Sequence, residues 1–239
     1  MSLYRDTGVV LRTYKLGEAD RIVVILTAGH GKIRAVAKGV RKTTSRFGGR
    51  LEPLSHVSLL LYEGRELDIV SQAESVDSIA PLLDDLDRLT QALAVAEAID
   101  QLTVDREPTP HLYRMLVGVL RTLETEPSPL VVPAFFWKLL AAEGSRPELD
   151  RCVRCSADDV ELVAFDMDEG GVLCRSCRRG VAISPAALAI TRMILGGRLR
   201  EALATADPAI SAEVGQLATG AVEHFIERRL RSVAMFERH

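Results

Sequence analysis

The sequence predicts a multidomain α+β protein: a small β-barrel or sandwich, followed by a helical domain that carries a four-cysteine insertion. Three observations lead to this fold class. Short runs rich in β-branched residues alternate with turn residues as far as about residue 80. Beyond Pro81, apolar residues recur at helical spacing, and two C-x-x-C pairs interrupt the helical pattern.

The first part contains short runs that are typical of strands, at residues 7–14, 21–27, 32–37, 56–62 and 66–72. No segment of helical length separates them, which favours a small antiparallel barrel or sandwich over an α/β layout. Residues 38–53 interrupt this pattern and are predicted to form a long loop. Long loops in compact domains are more often functional than accidental.

Helical spacing begins at Leu82, and apolar residues recur at three- and four-residue steps as far as Ile99. Further helices are predicted at residues 111–126, 134–143, 185–195 and 210–235. Ser184 followed by Pro185 is typical of a helix N-cap and first turn. We therefore expect one domain over residues 1–80 and a helical domain over residues 81–239.

The net charge of the whole chain, −3 from 30 Lys+Arg and 33 Asp+Glu, argues against a nucleic-acid-binding protein, because such domains usually carry a basic excess. The average conceals an uneven distribution. Residues 1–80 hold 12 Lys+Arg and 9 Asp+Glu, a net +3, whereas residues 81–239 hold 18 and 24, a net −6. Within the first part, residues 21–51 contain eight basic residues and no acidic residue.

The composition and the N-terminal residues indicate a globular protein of the cytoplasm. An apolar content of 47% with 26% charged residues excludes wholesale disorder. No run of about 18 uninterrupted apolar residues is present, so no membrane-spanning helix is predicted. Arg5 and Asp6 lie where a secretory signal needs an apolar segment. We therefore expect thiols that stay reduced.

The four cysteines form a C-x2-C-x18-C-x2-C pattern made of Cys152, Cys155, Cys174 and Cys177. This spacing is typical of a four-thiolate zinc site, and it predicts a zinc-ribbon-like insertion over residues 150–180. Four thiolates complete a tetrahedral shell, so we expect the Zn²⁺ to be structural. Two disulfides or a redox C-x-x-C are the alternatives. A reducing compartment opposes the first, and the absence of a βαβ pattern opposes the second.

Basic residues on one strand and the following loop are candidates for contact with a phosphate backbone. Residues 32–37 alternate, so that Lys32 and Arg34 share one face of the strand. Neutralising phosphates releases counterions, which is the usual source of sequence-independent affinity. The predicted DNA-binding residues are Lys32, Arg34, Lys38, Arg41, Lys42, Arg46, Phe47 and Arg50. The alternative is a solvated loop on an ordinary barrel.

Aromatic residues near this basic segment are candidates for base stacking. Phe47 lies within the loop, and Tyr14 and Tyr62 lie on predicted strands. For the two tyrosines, a position in the core is an equally good interpretation.

The sequence contains no arrangement of residues that is typical of catalysis. Gly31-Lys32 is similar to the end of a phosphate-binding loop, but Leu26 replaces its first glycine and Ile33 replaces its Ser or Thr. The five histidines show no spacing typical of a metal site or a catalytic triad. We therefore expect a protein that is not an enzyme.

Several segments resemble the RecO family of bacterial recombination and DNA-repair mediators. They are residues 17–21 (GEADR), 35–41 (AVAKGVR), 46–53 (RFGGRLEP), 149–152 (LDRC) and 228–232 (RRLRS). The resemblance implies an N-terminal OB-fold, a helical C-terminal part and a zinc module. It also implies binding of single- and double-stranded DNA, annealing of complementary strands, and help in loading the RecA recombinase onto strands coated by single-strand-binding protein.

The same resemblance implies two partners, RecR and the acidic C-terminal tail of single-strand-binding protein, and a cytoplasmic, nucleoid-associated location. No membrane or small-molecule partner is expected. Some relatives lack the four cysteines, which favours a zinc ion that stabilises the fold over one that reads DNA. The alternative function is a protein–protein adaptor in a repair complex with only incidental DNA contact. A metal-dependent nuclease is more distant, because four cysteines leave no open coordination position.

Overall fold

The computed structural model describes residues 2–77, 80–126, 128–204 and 207–232, and these form two compact units. The first unit contains the described residues as far as Glu124, together with Arg231 and Ser232. The second unit runs from Thr125 to Leu230. The change from strands to helices near residue 80 therefore falls inside the first unit, and the predicted domain boundary at that point stays a prediction.

A closed barrel forms the core of the first unit. Its strands are β1 (Leu3–Leu16), β2 (Asp20–Thr27), β3 (Gly31–Ala37), β4 (His56–Tyr62) and β5 (Asp68–Ser75). Their order around the barrel is β1-β2-β3-β5-β4; β1 pairs antiparallel with β4, and β3 pairs parallel with β5. This is the strand arrangement of an OB-fold, so the predicted fold class of the first part is confirmed.

A β-bulge in β1 decides which of its side chains face the barrel interior. Val10 pairs with Ile25, and both are buried in the core. The register then shifts, so that Arg12 rather than Leu11 pairs with Val24 on β2. Because a one-residue shift reverses the faces of a strand, Arg12 lies on the outer surface instead of continuing the inward series of Val10.

Helices α1 (Ala80–Leu83), α2 (Leu86–Leu102) and α3 (Pro110–Thr125) follow the barrel. The prediction of one continuous apolar helix from Leu82 to Ile99 is wrong, because α1 ends at Leu83 and α2 begins at Leu86. The carboxylate of Asp85 accepts hydrogen bonds from the backbone N–H groups of Asp87 and Arg88, and this N-cap starts a new helix.

A buried ion network joins α2 to the barrel. Asp100, near the end of α2, is 5% exposed. Its Oδ2 lies 2.5 Å from Arg12 Nε on β1, and its Oδ1 lies 3.2 Å from Lys32 Nζ on β3. The Lys32 ammonium also donates to the backbone oxygen of Asp100 over 2.6 Å. The network explains why α2 packs on the barrel within one unit.

The second unit combines helices with a small sheet. Helix α4 (Val131–Ala142) packs against α5 (Pro185–Leu195) and α7 (Pro208–Phe225), and the short α6 (Leu199–Leu203) links the latter two. The sheet contains β6 (Leu162–Asp166), β7 (Gly171–Cys174) and β8 (Val181–Ala182) in the order β7-β6-β8. The β6–β7 hairpin connects the first cysteine pair to the second, and Cys174 is the last residue of β7.

Helix α7 ends at Phe225, so the prediction of a helix as far as Met235 is too long; residues 233–235 lie outside the described residues. Glu227 adopts a left-handed backbone conformation, with φ of 53°. The N–H of Arg228 then donates to the carbonyl oxygen of Glu223, a pattern that ends a helix. In the described part of the chain, no helix combines the length and apolarity needed to cross a bilayer.

Replacing Asp100 by alanine is expected to lower the free energy of unfolding of the first unit by about 3–5 kcal/mol, because Lys32 stays buried without its carboxylate partner. Denaturant unfolding followed by circular dichroism measures this loss. Asp105→Ala is the matched control. The Asp105 side chain is 49% exposed and lies 3.7 Å from the same ammonium, so its loss should cost no more than about 1 kcal/mol. Equal losses in the two variants would contradict this account of α2.

Candidate nucleic-acid interface and candidate metal centre

The fold brings the sulfurs of the four cysteines together. All four Sγ atoms lie within 4.8 Å of one another, and those of Cys155 and Cys174 are 3.8 Å apart. A tetrahedral site with Zn–S bonds of about 2.3 Å places its sulfurs about 3.8 Å apart. A disulfide would need about 2.0 Å, and all four thiols are free. The donor set and its spacing therefore fit Zn²⁺.

The strand β7 holds the first cysteine pair against the second. The N–H of Val153, inside the first C-x-x-C turn, donates to the carbonyl oxygen of Val172 over 2.9 Å. Gly171 allows this approach, since a Cβ at that position would lie 2.4 Å from Val153 Cγ1 and 2.7 Å from the carbonyl oxygen of Glu148. Cys174 ends β7, so the second pair follows at once.

The electrostatics of the cluster favour a bound cation. Burial raises the pKa of Cys152, but the backbone N–H groups of Cys174, Cys155 and Arg154 outweigh it and lower the pKa to about 6. Burial and the neighbouring cysteine side chains raise the pKa of Cys177 to about 12. The raised pKa of Cys177 reflects the cost of placing four thiolates at this spacing, and a divalent cation at their centre would remove that cost.

Arginines around the cysteine pairs are largely engaged with carboxylates. Arg151 pairs with Glu148 at 3.1 Å, and Arg175 pairs with Glu161 at 2.8 Å. Arg179 pairs with Asp166. These contacts offset part of the positive charge around the cysteine pairs.

The structure exposes most of the predicted DNA-binding residues. Arg34 lies on the outer face of β3, and the others lie on the loop of residues 38–53, which we call the basic loop. The exposed residues are Arg34, Lys38, Arg41, Lys42, Arg46 and Arg50. Their charged groups are accessible to an anionic partner.

The other two predicted residues are buried, and their assignment to DNA is corrected. Phe47 is 1% exposed because its ring packs in the barrel core with Leu51, so it cannot stack on a base. Lys32 is 8% exposed, because the segment that follows α2 lies against it and the N–H of Arg106 donates to its carbonyl oxygen over 2.7 Å; Asp100 neutralises its ammonium. The alternation of β3 does place Lys32 on the outer face, but the segment between α2 and α3, rather than solvent, lies against that position.

The basic loop is a series of turns that is tied to the barrel. The N–H of Gly39 donates to Asp20 Oδ1 over 2.7 Å, and the N–H of Leu54, just beyond the loop, donates to the carbonyl oxygen of Val10 over 2.7 Å. Arg21 on β2 donates to both carboxylate oxygens of Glu52, over 2.6 and 2.7 Å. The exposed cations therefore project from an ordered backbone.

A groove of about 460 Å³ lies on the outer face of β1, β2 and β3. It is lined by Arg12, Tyr14, Ile22, Val24, Arg34 and Asp105. Arg12 is absent from the predicted set of residues; strict alternation along β1 would place it on the same inward face as Val10. The signal for the bulge was the uninterrupted apolar run from Val9 to Leu11, which breaks the alternation just before Arg12.

Comparison with known proteins gives matches along almost the whole chain. A family model described as "Recombination protein O N terminal" matches residues 1–79, and one described as "Recombination protein O C terminal" matches residues 83–234. The chain is 43% identical to a Frankia casuarinae protein named "DNA repair protein RecO", covering all of both chains. It is 42% identical to a Nocardioides protein of the same name, covering 99% of this chain and all of that protein.

The purified protein is expected to contain stoichiometric zinc, measured by inductively coupled plasma mass spectrometry. Cys174→Ser should lose the metal and raise amide hydrogen exchange over residues 152–177, because structural zinc binding worth about 10–16 kcal/mol is coupled to local folding. Strands β1–β5 should keep their protection. Ser176→Ala, inside the same C-x-x-C pair, is the control and should retain zinc. Unchanged zinc content in Cys174→Ser would contradict the four-thiolate site.

Proposed function

The chain belongs to the recombination protein O family, and on that premise we propose that it is a DNA-binding mediator of recombinational DNA repair. It binds single- and double-stranded DNA, anneals complementary strands and helps to load the RecA recombinase onto strands coated by single-strand-binding protein. The observation that supports DNA binding most directly is the exposure of six cations on β3 and the basic loop.

In this proposal the DNA backbone lies along the exposed cations Arg34, Lys38, Arg41, Lys42, Arg46 and Arg50. Each cation that meets a phosphate releases condensed counterions, which gives affinity without sequence preference. The acidic residue at the end of this segment, Glu52, is already paired with Arg21 and offers little repulsion to DNA. Binding of this kind suits a protein that must act on any damaged sequence.

We propose that Zn²⁺ binds Cys152, Cys155, Cys174 and Cys177 and stabilises the small sheet of the second unit. A shell of four thiolates leaves no position for a reacting water, so the metal supplies structure rather than chemistry. The protein then acts by binding and positioning DNA, without catalysing a reaction.

We also propose RecR and the acidic C-terminal tail of single-strand-binding protein as partners, and a cytoplasmic, nucleoid-associated location. These proposals are supported by the family to which the chain belongs. The net charge of +3 over residues 1–80 and of −6 over residues 81–239 favours DNA contact through the first part of the chain; an acidic tail would need basic side chains within the second part.

Reversing three charges of the basic loop, in the variant Lys38→Glu, Arg41→Glu and Lys42→Glu, should weaken binding to single and double strands alike. The plot of log affinity against log salt concentration should become shallower by about 2–3 for duplex DNA, since each lost phosphate contact removes about 0.9 from the slope. Fluorescence anisotropy over a salt series measures both effects.

The matched control is the variant Arg65→Glu, Arg114→Glu and Arg200→Glu, which makes the same change in net charge at exposed positions outside the basic loop. It should keep most of the slope of the unmodified protein. If the two variants lose affinity equally, general charge rather than the basic loop governs binding. An unchanged affinity in a folded loop variant would refute the proposed interface.

A further inference from the structure

We propose that the groove on the outer face of β1, β2 and β3 holds an unpaired base of a DNA strand, with Tyr14 as the stacking platform, Arg34 as the cation for its phosphate and Arg12 as the residue that positions the Tyr14 ring. The proposal deepens the DNA binding proposed above and rests on it. It adds a site that binds single strands in preference to duplexes, a distinction that phosphate contacts alone do not make.

The groove follows from the registers of three strands. Val24 on β2 pairs with Arg12 on one side and with Arg34 on the other, so an apolar residue lies between two arginines. On the same face, Ile22 pairs with Tyr14. The result is an apolar floor with an aromatic ring and two guanidinium groups around it. Without the β1 bulge, Arg12 and Tyr14 would face the barrel interior instead.

Tyr14 keeps an exposed ring although it lies within a strand. It is 41% exposed, and the Arg12 guanidinium carbon lies 4.8 Å from its ring centroid. Arg12 is itself held in place, because its Nε lies 2.5 Å from the buried carboxylate of Asp100. A platform whose neighbours are already fixed loses little conformational entropy when a ligand binds.

The chemistry of the lining selects the occupant. The exposed ring of Tyr14, beside Ile22, suits the face of a base, and the exposed guanidinium group of Arg34 suits its phosphate. Asp105 adds one negative charge to the rim, 3.7 Å from the ammonium of Lys32. Arg12, Lys32, Asp100 and Asp105 together carry no net charge, so Arg34 supplies the positive charge of the groove. The volume of about 460 Å³ lies within the range of about 300–1,000 Å³ that is usual for small-molecule sites.

Continuity with the basic loop favours a strand over a free nucleotide. Arg34 belongs both to the groove and to the exposed cations, and β3 leads directly into the loop at Lys38. A strand whose phosphates lie on the basic loop therefore has a neighbouring nucleotide near the groove. In duplex DNA the base faces are stacked inside the helix, so a duplex gains only the phosphate contacts.

The test uses the full chain and a single-stranded oligonucleotide that contains 2-aminopurine, whose fluorescence falls when the base stacks. Tyr14→Ala should weaken single-strand binding about 5- to 150-fold, as expected for the loss of one base–aromatic stack, with unchanged duplex affinity and salt slope. It should also abolish the fluorescence quenching. Tyr14→Phe keeps the ring and should keep both the affinity and the quenching.

Tyr62→Ala is the matched control, since Tyr62 is also 41% exposed on the barrel but lies outside the groove. Its single-strand affinity should equal that of the unmodified protein. Tyr14→Leu retains a large apolar side chain on the strand and should show the same loss of single-strand affinity; it replaces Tyr14→Ala if that variant folds poorly. Circular dichroism melting checks the fold of each variant.

Different results overturn different statements. Equal effects of Tyr14→Ala on single strands and duplexes, or equal effects of Tyr14→Ala and Tyr62→Ala, would overturn the groove. If Tyr14→Ala and Tyr14→Leu keep the single-strand affinity and the quenching of the unmodified protein, the groove is overturned as a base-binding site. The proposed function still stands in that case, provided that the unmodified protein binds DNA with a steep salt dependence. An unmodified protein that binds neither form of DNA overturns the proposed function itself. If a mononucleotide at micromolar concentration displaces the oligonucleotide, the occupant of the groove is a free nucleotide, and the proposal that it is a DNA strand is overturned.

Discussion

The position of the basic loop depends on the packing of the Phe47 ring in the barrel core. Phe47 and Leu51 lie in the loop, yet each is only 1% exposed. Burying side chains of this size stabilises a fold by about 1.5–3 kcal/mol each. The loop is therefore folded onto the barrel at Phe47 and Leu51, and its charged residues lie on the outer surface. An aromatic residue that looks like a base-stacking group in the sequence instead orders the cations around it.

The buried carboxylate of Asp100 divides the basic residues of the barrel into two kinds. Lys32 is neutralised inside the structure, and Arg12 is held at the surface by the same carboxylate. Arg34 is the next residue on the same face of β3, two residues after Lys32, and it is exposed. A count of positive charges in the sequence therefore overstates the charge available to DNA. The total of −3 errs in the opposite direction, because it adds a basic barrel to an acidic remainder.

Features that depend on local spacing were predictable from the sequence. The strand runs, the N-cap at Ser184 and the two cysteine pairs follow from periodicity and from short motifs, and the structure contains each of them. Features that depend on distant contacts were not predictable. The residues near Lys32 in the sequence do not predict its ion pair with Asp100, and those near Phe47 do not predict that its ring packs in the barrel core. The apolar run from Val9 to Leu11 marks an interruption of the alternation, but only the pairing of β1 with β2 shows that it is a bulge that turns Arg12 outward.

The central claim is that DNA meets the barrel through the exposed cations of β3 and the basic loop, while the cysteine module serves the fold. Hydrogen–deuterium exchange of the full chain, with and without a single-stranded oligonucleotide, tests it most directly. The account predicts that DNA slows amide exchange within residues 34–50 and leaves residues 152–178 unchanged. Slower exchange confined to residues 152–178, with the basic loop unaffected, would contradict it.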